Sequence, residues 1–346
     1  MMMKKNSTLK QMLENIKNSK EEPLHLNSRV LLIDSMNTFL RSFTMINHIN
    51  PKGAHIGGLT GFLKSIGFAI RHIKPTRVII VFDGTGSTTN KKNLFPDYKA
   101  NRKLTRITNW DGFDNREEEA SSIENQILRL VQYLKHLPVE LLALDKVEAD
   151  DVIAYITNKA EDEVYIMSAD QDFLQLVNDK VTCYSPVKKK FYTPTLVKQE
   201  YKLYPQNYIN QKILMGDHSD NVPGVKGLGP KKLFKLFPEL EHPNKITFSE
   251  IMDKCKENRL EHGLYEDICN FEKQLITNKQ LMDLTQVEIP EDGVIEIEEV
   301  LTREPGKLNN LGFIKLYHDD SLGNSIPNTE VWLAEIFSYL QSYKLK

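Results

Sequence analysis

Cysteine is scarce: Cys183, Cys255 and Cys269 are the only three in 346 residues, an odd number without the close paired spacing of a zinc site. That usage excludes a disulfide scaffold and suits a reducing cytoplasm. No stretch approaches the roughly 20 apolar residues that a membrane span needs, so no membrane role is expected. The N-terminus is basic but lacks an apolar core and a small-residue cleavage site, so no secretory signal is expected either. Internal repeats and low-complexity tracts are missing. An excess of one charge is missing too: the formal net charge is −2, which by itself neither suggests nor excludes a nucleic-acid partner. With 40% hydrophobic and 27% charged residues, the chain has an ordinary soluble composition. Its length suits one large domain plus a smaller one.

What the sequence does have is a set of nine carboxylates at the ends of expected strands or in the turns after them: Asp34, Asp83, Glu148, Asp150, Asp151, Asp170, Asp172, Asp217 and Asp220. Two unit charges ~4 Å apart repel by roughly 1 kcal/mol in water and about 4 at an effective dielectric near 20. Gathered without Arg or Lys partners, such a set needs another cation. Oxygen ligands with no Cys or His suit Mg²⁺ or Mn²⁺ rather than zinc. The expectation is a divalent-metal site for phosphate chemistry. Each cluster also has a plainer reading. Acids opening a helix at Glu148–Asp151 complement its dipole, although three in four positions exceed what capping needs. Ser168 and Asp170 could cap a helix, and Asp217 and Asp220, taken alone, read as an Asx turn. Asp34 alone is an unremarkable strand-end residue.

Along the chain, Leu9, Met12, Leu13 and Ile16 carry a helical period. This leader reads as a docking helix or, more plainly, a flexible tail. Continuous apolar runs at Arg29–Ile33 and Arg77–Phe82 read as buried strands, with a Gly-punctuated helix from about Leu59 to His72 between them. A helix at Ile123–Leu137, strand Val139–Leu144, helix Ala149–Lys159 and strand Val164–Met167 follow. Strands alternating with helices predict a mostly parallel sheet covered on both faces. Ligands of such sheets bind beyond the carboxyl ends of the strands, where most of these acids stand. Past Pro194 the chain reads as helical, with a short helix at Tyr208–Met215, apart from an acidic, strand-like interval around Val287–Val300.

Basic residues are concentrated in two places. Between Gly84 and Trp110 stand Lys91, Lys92, Lys99, Arg102, Lys103 and Arg106 against the single acid Asp97, and Lys226, Lys231, Lys232 and Lys235 follow Asn221 with no acid among them. In Pro96–Arg102, Lys99 and Arg102 would share a helical face, with Tyr98 free to stack on a base. In Gly224-Val-Lys-Gly-Leu-Gly229-Pro-Lys-Lys232, closely spaced glycines before a helix allow a backbone to approach phosphate. Pro230 occupies the place where a Walker A loop needs lysine. A glycine hairpin joining two helices, with lysines after it, suits a grip on a DNA backbone without reading sequence. Gly224, Lys226, Gly227, Gly229, Lys231 and Lys232 are its candidate contacts.

Together Ile33-Asp34, Val81-Phe-Asp83-Gly, Tyr98-Lys-Ala-Asn-Arg102, Glu148-Ala-Asp-Asp151, Ser168-Ala-Asp-Gln-Asp172 and Gly216-Asp-His-Ser-Asp-Asn-Val-Pro-Gly-Val-Lys-Gly-Leu-Gly229 resemble the 5′-nuclease superfamily of flap endonucleases and 5′→3′ exonucleases, above all phage enzymes of the T-even RNase H type. The resemblance spans about residues 29–237. It implies an α/β fold with a PIN-like core, a helical arch and a helix-hairpin-helix-type element. The division expected from it is a leader at 1–27, a core at 28–193 with its arch at about 97–137, a DNA-binding element at 194–240 and a helical region at 241–346. It also implies two Mg²⁺ ions, with Mn²⁺ able to substitute. Asp34, Asp83, Glu148, Asp150 and Asp170 or Asp172 would surround one, and Asp172, Asp217 and Asp220 the other. Lys99 and Arg102 match arch bases that contact the scissile phosphate, and K⁺ can sit at the hairpin turn. Implied substrates are 5′ flaps, nicked or gapped DNA and RNA–DNA hybrids, attacked by a monomer in the cytoplasm, of a bacterial host if the chain is phage-encoded. A single-strand-binding protein or sliding clamp is a candidate partner. Two features depart from the pattern: the long leader, and an acidic run, Glu117–Glu119, expected to face solvent.

Two other classes compete. A non-catalytic DNA-structure-binding module would gain affinity by losing these acids. A haloacid-dehalogenase-type phosphatase needs a second Asp two residues after the first, where this chain has Met36.

Overall fold

The computed structural model describes residues 24–102 and 112–345. The leader pattern at Leu9–Ile16, and Lys103 and Arg106 in the expected arch, lie outside the described residues. The elements are, in order, β1 (Arg29–Asp34), α1 (Ser35–Met45), α2 (Gly57–Ile73), β2 (Arg77–Asp83), α3 (Thr89–Leu94), α4 (Arg116–Leu134), β3 (Glu140–Leu144), α5 (Ala149–Lys159) and β4 (Glu163–Met167). A 3₁₀ turn (Asp172–Leu176), β5 (Val181–Ser185), β6 (Lys190–Tyr192), α6 (Pro194–Tyr201) and α7 (Pro205–Met215) follow. The remainder is a two-residue pair, β7 (Gly216–Asp217) and β8 (Val222–Pro223), then α8 (Pro230–Leu236), α9 (Phe248–Glu257), α10 (Gly263–Asn270), α11 (Glu272–Met282), α12 (Glu291–Thr302), α13 (Asn310–Asp319) and α14 (Thr329–Phe337).

Six strands form one sheet in the order β3-β2-β1-β4-β5-β6, parallel except for β6. The apolar runs explain why both faces are covered. Leu31, Ile33, Val78 and Ile80 point into one core with α1, α2, α4, α13 and α14. Val30, Leu32, Ile79 and Val81 point into the opposite core with α5 and α12. This is the two-residue alternation of a strand sandwiched between helical layers. The chain is therefore an α/β protein with a PIN-like, mostly parallel sheet.

A third core holds α8 to α11 and the hairpin. Helix α7 joins it to the sheet, since Tyr208 packs into the sheet core while Ile209 and Ile213 pack into the third.

The interval around Val287–Val300 is a helix, α12, and not strand-like. Its alternating Val-Ile-Glu-Ile-Glu imitates a strand, but Gly293, Ile297 and Val300 are the buried positions, the three-and-four spacing of a helix. Glu291 and Asp292 in the first turn suit its dipole. Helix α4 starts at Arg116, earlier than expected, because Asn115 caps it through Glu118 N–H. The acidic run there is split: Glu117 and Glu118 are exposed, whereas Glu119 is buried, against the expectation that all three face solvent.

Arg77 ties the end of α12 to the sheet. Its guanidinium, almost wholly buried, donates to Asn27 Oδ1 and to the carbonyls of Val300, Leu301 and Arg303 at 2.6–3.1 Å. Arg77→Ala takes the side-chain donor from the carbonyls of Val300 and Arg303, while Leu301 O keeps Asn27 Nδ2, so it should lower unfolding free energy by about 3 kcal/mol. Urea denaturation measures this, and a loss below about 1 kcal/mol would remove Arg77 from that role.

Candidate active site

Five parallel strands end on one edge, and the order reverses at β1, leaving a crevice between β1 and β4. Asp34 closes β1 on one side of it. Its Oδ1 accepts from Asn37 N–H at the start of α1, and its Oδ2 accepts from Ser168 Oγ at 2.9 Å, across the crevice. Asp83 closes β2 and accepts from Ala149 N–H at 2.9 Å, so it caps α5 from a different element. That same helix start presents Glu148, Asp150 and Asp151, whose oxygens lie within 4.8 Å of one another. Asp170 and Asp172 follow β4, where Asp170 Oδ1 accepts from Asp172 N–H.

A cavity of about 510 Å³ is lined by seven of the nine carboxylates, Asp34, Asp83, Glu148, Asp150, Asp170, Asp172 and Asp220, together with Lys99 and Arg102. Asp151 instead lines a neighbouring cavity of about 550 Å³, and Asp217 lines neither. No Cys or His is among the residues that line the first cavity. An all-oxygen donor set of this kind fits a hard divalent cation.

Contrary to expectation, the acids have basic partners. Lys91 Nζ lies 2.7 Å from Glu148, 3.0 Å from Asp151 and 3.5 Å from Asp150. Lys99 pairs with Glu148 on its other oxygen. Lys212 joins Asp172, at 2.7 Å, to Asp217, and Arg102 pairs with Asp220. In the sequence Lys91 is only part of a basic stretch, and Lys212 carries no signal beyond standing five residues before Asp217. Neither is identifiable as a site residue until α3 and α7 are placed.

The Pro96–Arg102 segment is a run of turns and not a helix, with Lys99 in the left-handed region at φ 55°. Lys99 and Arg102 reach the cavity because backbone, not helical spacing, places them. Lys99 N–H donates to Asp220 O, Asn101 to His218 O, and Asn221 back to Asp97 O. Tyr98 is not free to stack on a base. It is only 1% exposed, and its hydroxyl donates to Glu148 at 3.0 Å and Asp220 at 3.3 Å. Its ring lies under Lys99 Nζ, 4.9 Å from the centroid, so it supports the lysine from below. Asp217 does form the expected Asx-type turn, accepting from Ser219 and Asp220 N–H.

The glycine hairpin is held by backbone proximity. Gly216 has φ 71°, and a Cβ on Gly224 would meet the Met215 carbonyl at 2.0 Å. Asn278 is fully buried and donates to the carbonyls of Ile213 and Pro223 on either side of the turn. Lys226, Lys231 and Lys232 are exposed, Gly227 is left-handed, and Gly229 has open space around it. Lys232 Nζ donates back to Gly227 O.

Burial sets the protonation of the acids. It pushes Asp34, Asp151 and Asp172 up to about 7, helped by neighbouring carboxylates, and it raises Asp83 and Asp170 as well. In Asp150 burial is outweighed by Lys91 and Lys99, so its carboxyl is lowered. In Asp217 burial is outweighed by Lys212, and it falls to about 2. Conversely, Lys91, Lys99 and Lys212 are raised, since the acids outweigh burial.

Residues 29–202 match the family described as 5′-3′ exonuclease, N-terminal resolvase-like domain. A 5′-3′ exonuclease of Bacillus subtilis is 32% identical over 250 residues, covering 69% of this chain and 79% of that protein. DNA polymerase I of the same organism is 31% identical over 261 residues, 73% of this chain, but the chain spans only 27% of its length. Among solved structures, a bacteriophage T5 flap endonuclease in complex with DNA and metal ions has a TM-score of 0.59 at 18% identity, covering 85% of this chain and 100% of that one. At that identity the likeness concerns the fold.

Raised carboxyls bind protons in the folded state that the unfolded chain has released. Between about pH 4 and pH 7 the metal-free protein should therefore lose stability as pH rises. A cation binding these groups must displace protons, so its affinity should rise with pH up to about 7, by about tenfold per pH unit for each proton released. Thermal melts with and without Mg²⁺ at pH 6 and pH 8 check both: a metal-free melt no lower at pH 8 contradicts the first, and a metal-induced shift larger at pH 6 contradicts the second.

Proposed function

Because the chain belongs to the 5′-3′ exonuclease family, we propose that it is a structure-specific 5′ nuclease. It hydrolyses phosphodiester bonds at 5′ flaps, nicks or gaps and in RNA primers on DNA, with removal of replication primers as its role. One observation carries this reading: seven carboxylates share a cavity with Lys99 and Arg102. A binding module would be weakened by that concentration of negative charge.

Asp34, Asp83, Glu148, Asp150 and Asp170 or Asp172 would hold one Mg²⁺, and Asp172, Asp217 and Asp220 a second. Bound there, such ions supply a lowered pKa for attacking water and stabilisation of the leaving oxygen. The chain's own residues do the rest. Lys99, steadied by the Tyr98 ring and by Glu148, and Arg102, anchored on Asp220, place positive charge on the cavity wall. They orient the scissile phosphate and offset charge developing on its oxygens. Lys91 and Lys212 keep the carboxylates together from outside the cavity lining. In residues 194–240, the hairpin with Lys226, Lys231 and Lys232 holds the duplex through phosphates, and its turn would be the place for a K⁺ ion. Recognition follows structure and 5′ ends, and affinity falls with salt.

A 5′-labelled flap duplex tests the reading, with Mg²⁺ or with chelator. Cleavage only with metal supports it; binding without cleavage identifies a DNA-structure-binding module. Asp172→Asn should abolish cleavage while sparing DNA binding, and near-normal turnover defeats the assignment. Lys99→Ala should slow the single-turnover rate by about 10²–10³-fold, more than it weakens binding. An unchanged rate removes Lys99 from the chemistry.

A further inference from the structure

We propose that the groove between α2 and α14 is a docking site for an acidic peptide that carries an aromatic or branched side chain. The inference goes beyond the nuclease reading and does not depend on it.

The groove has a volume of about 470 Å³, and Lys64, Phe68 and Arg71 of α2 line it together with Val331, Trp332 and Glu335 of α14. None of its lining residues lines the carboxylate cavity. Helix α2 ends at Ile73, just before β2 starts at Arg77. Its turns from Lys64 to Arg71 therefore run toward the amino edge of the sheet, opposite the edge that carries Asp34 and Asp83. Phe68 and Val331 are exposed. Apolar surface gathered in a concave, polar-rimmed patch marks an interaction site, as single exposed residues do not. The walls are held in place. His72 stacks on Phe68 at 3.8 Å, and the Tyr184 ring lies 5.9 Å away. Trp332 packs on the backbone of α2 at Gly67, where a Cβ would meet the indole at 2.7 Å.

The polar groups of the groove are donors short of acceptors. Lys64 is exposed and has no carboxylate at ion-pair distance among the described residues. Trp332 is half-buried, and its indole N–H donates to no group among the described residues. Arg71 engages Glu335 through one nitrogen at 3.2 Å, with both side chains more than half exposed, which leaves its other donors open. Among the described residues that line the groove, Glu335 is the one acid. Helix α2 carries Lys64, Arg71 and His72 and no acid in its 17 residues. Carboxylates complement this set: they pair with Lys64 and Arg71 and accept from the indole N–H. An apolar side chain beside them covers Phe68 and Val331. A nucleic-acid strand fits less well, since two cations around one concave groove give no track for successive phosphates. Residues 1–23 of the chain carry five lysines against three glutamates, the wrong sign for this groove.

The probe is a fluorescein-labelled peptide of three aspartates followed by leucine and phenylalanine, titrated with the full chain and followed by anisotropy. Saturable binding is expected, and the same peptide with lysine for aspartate should not bind. Lys64→Glu should weaken binding about tenfold, and Phe68→Ala about as much. Trp332→Phe keeps an aromatic ring and removes the N–H, and should weaken binding about fivefold. Lys64→Glu changes only an exposed side chain, so its loss of affinity is not unfolding. Absence of saturable binding by the wild-type chain, equal binding of the lysine peptide, or wild-type affinity in all three variants overturns the proposal. Flap-duplex affinity that falls in Lys64→Glu while the acidic peptide does not bind makes the face a nucleic-acid contact and also overturns it. So does a dimer, seen by light scattering without peptide binding, that Phe68→Ala dissolves, since the groove is then an interface between copies.

Discussion

Carboxylates brought together at the end of a sheet repel one another, and the architecture around this site is organised by how that repulsion is met. Four cations meet it here: Lys91 among Glu148, Asp150 and Asp151, Lys99 on Glu148, Lys212 between Asp172 and Asp217, and Arg102 on Asp220. Each comes from an element or turn different from that of the acid it serves, although Lys212 and Asp217 stand only five residues apart. The ion pairs therefore also fix how α3, the turn at Pro96–Arg102 and α7 dock on the sheet edge. Protonation meets the remainder, with Asp34, Asp151 and Asp172 near 7. Divalent cations would take over part of both tasks, releasing protons and freeing lysines toward a phosphate.

The turn at Pro96–Arg102 and the turn at Asp217–Asn221 act as one unit. Backbone and side-chain hydrogen bonds run both ways between them, and Tyr98 beneath them reaches both Glu148 and Asp220. A basic segment and an acidic turn more than a hundred residues apart are thus locked in register. Movement of one alters the other. This couples the hairpin, through β7 and β8, to the positively charged wall of the cavity.

Much of the fold was legible because its signals are local. The continuous apolar strands, the Ala149–Lys159 helix with its acidic start and the glycines of the hairpin each follow from short-range sterics or period. The misreadings have equally local causes. Alternating Val, Ile and Glu in α12 imitate a strand, and the spacing of Lys99 and Arg102 imitates a helix. Tyr98 looked available because nothing in its neighbours reveals a carboxylate above it. Glu119 looked solvent-facing because its burial depends on a helix packing at a distance.

By itself the sequence determined the alternation of the first four strands with helices, the acids at the strand ends and the donor chemistry they offer, since side-chain type and periodicity are properties of short segments. Only the tertiary structure decided which acids share a cavity, which lysines neutralise them and that Asp151 and Asp217 stand outside the lining. The physical reason is that Coulomb interaction and desolvation depend on distance through space. That distance is set by sheet order and by packing between residues far apart in the chain.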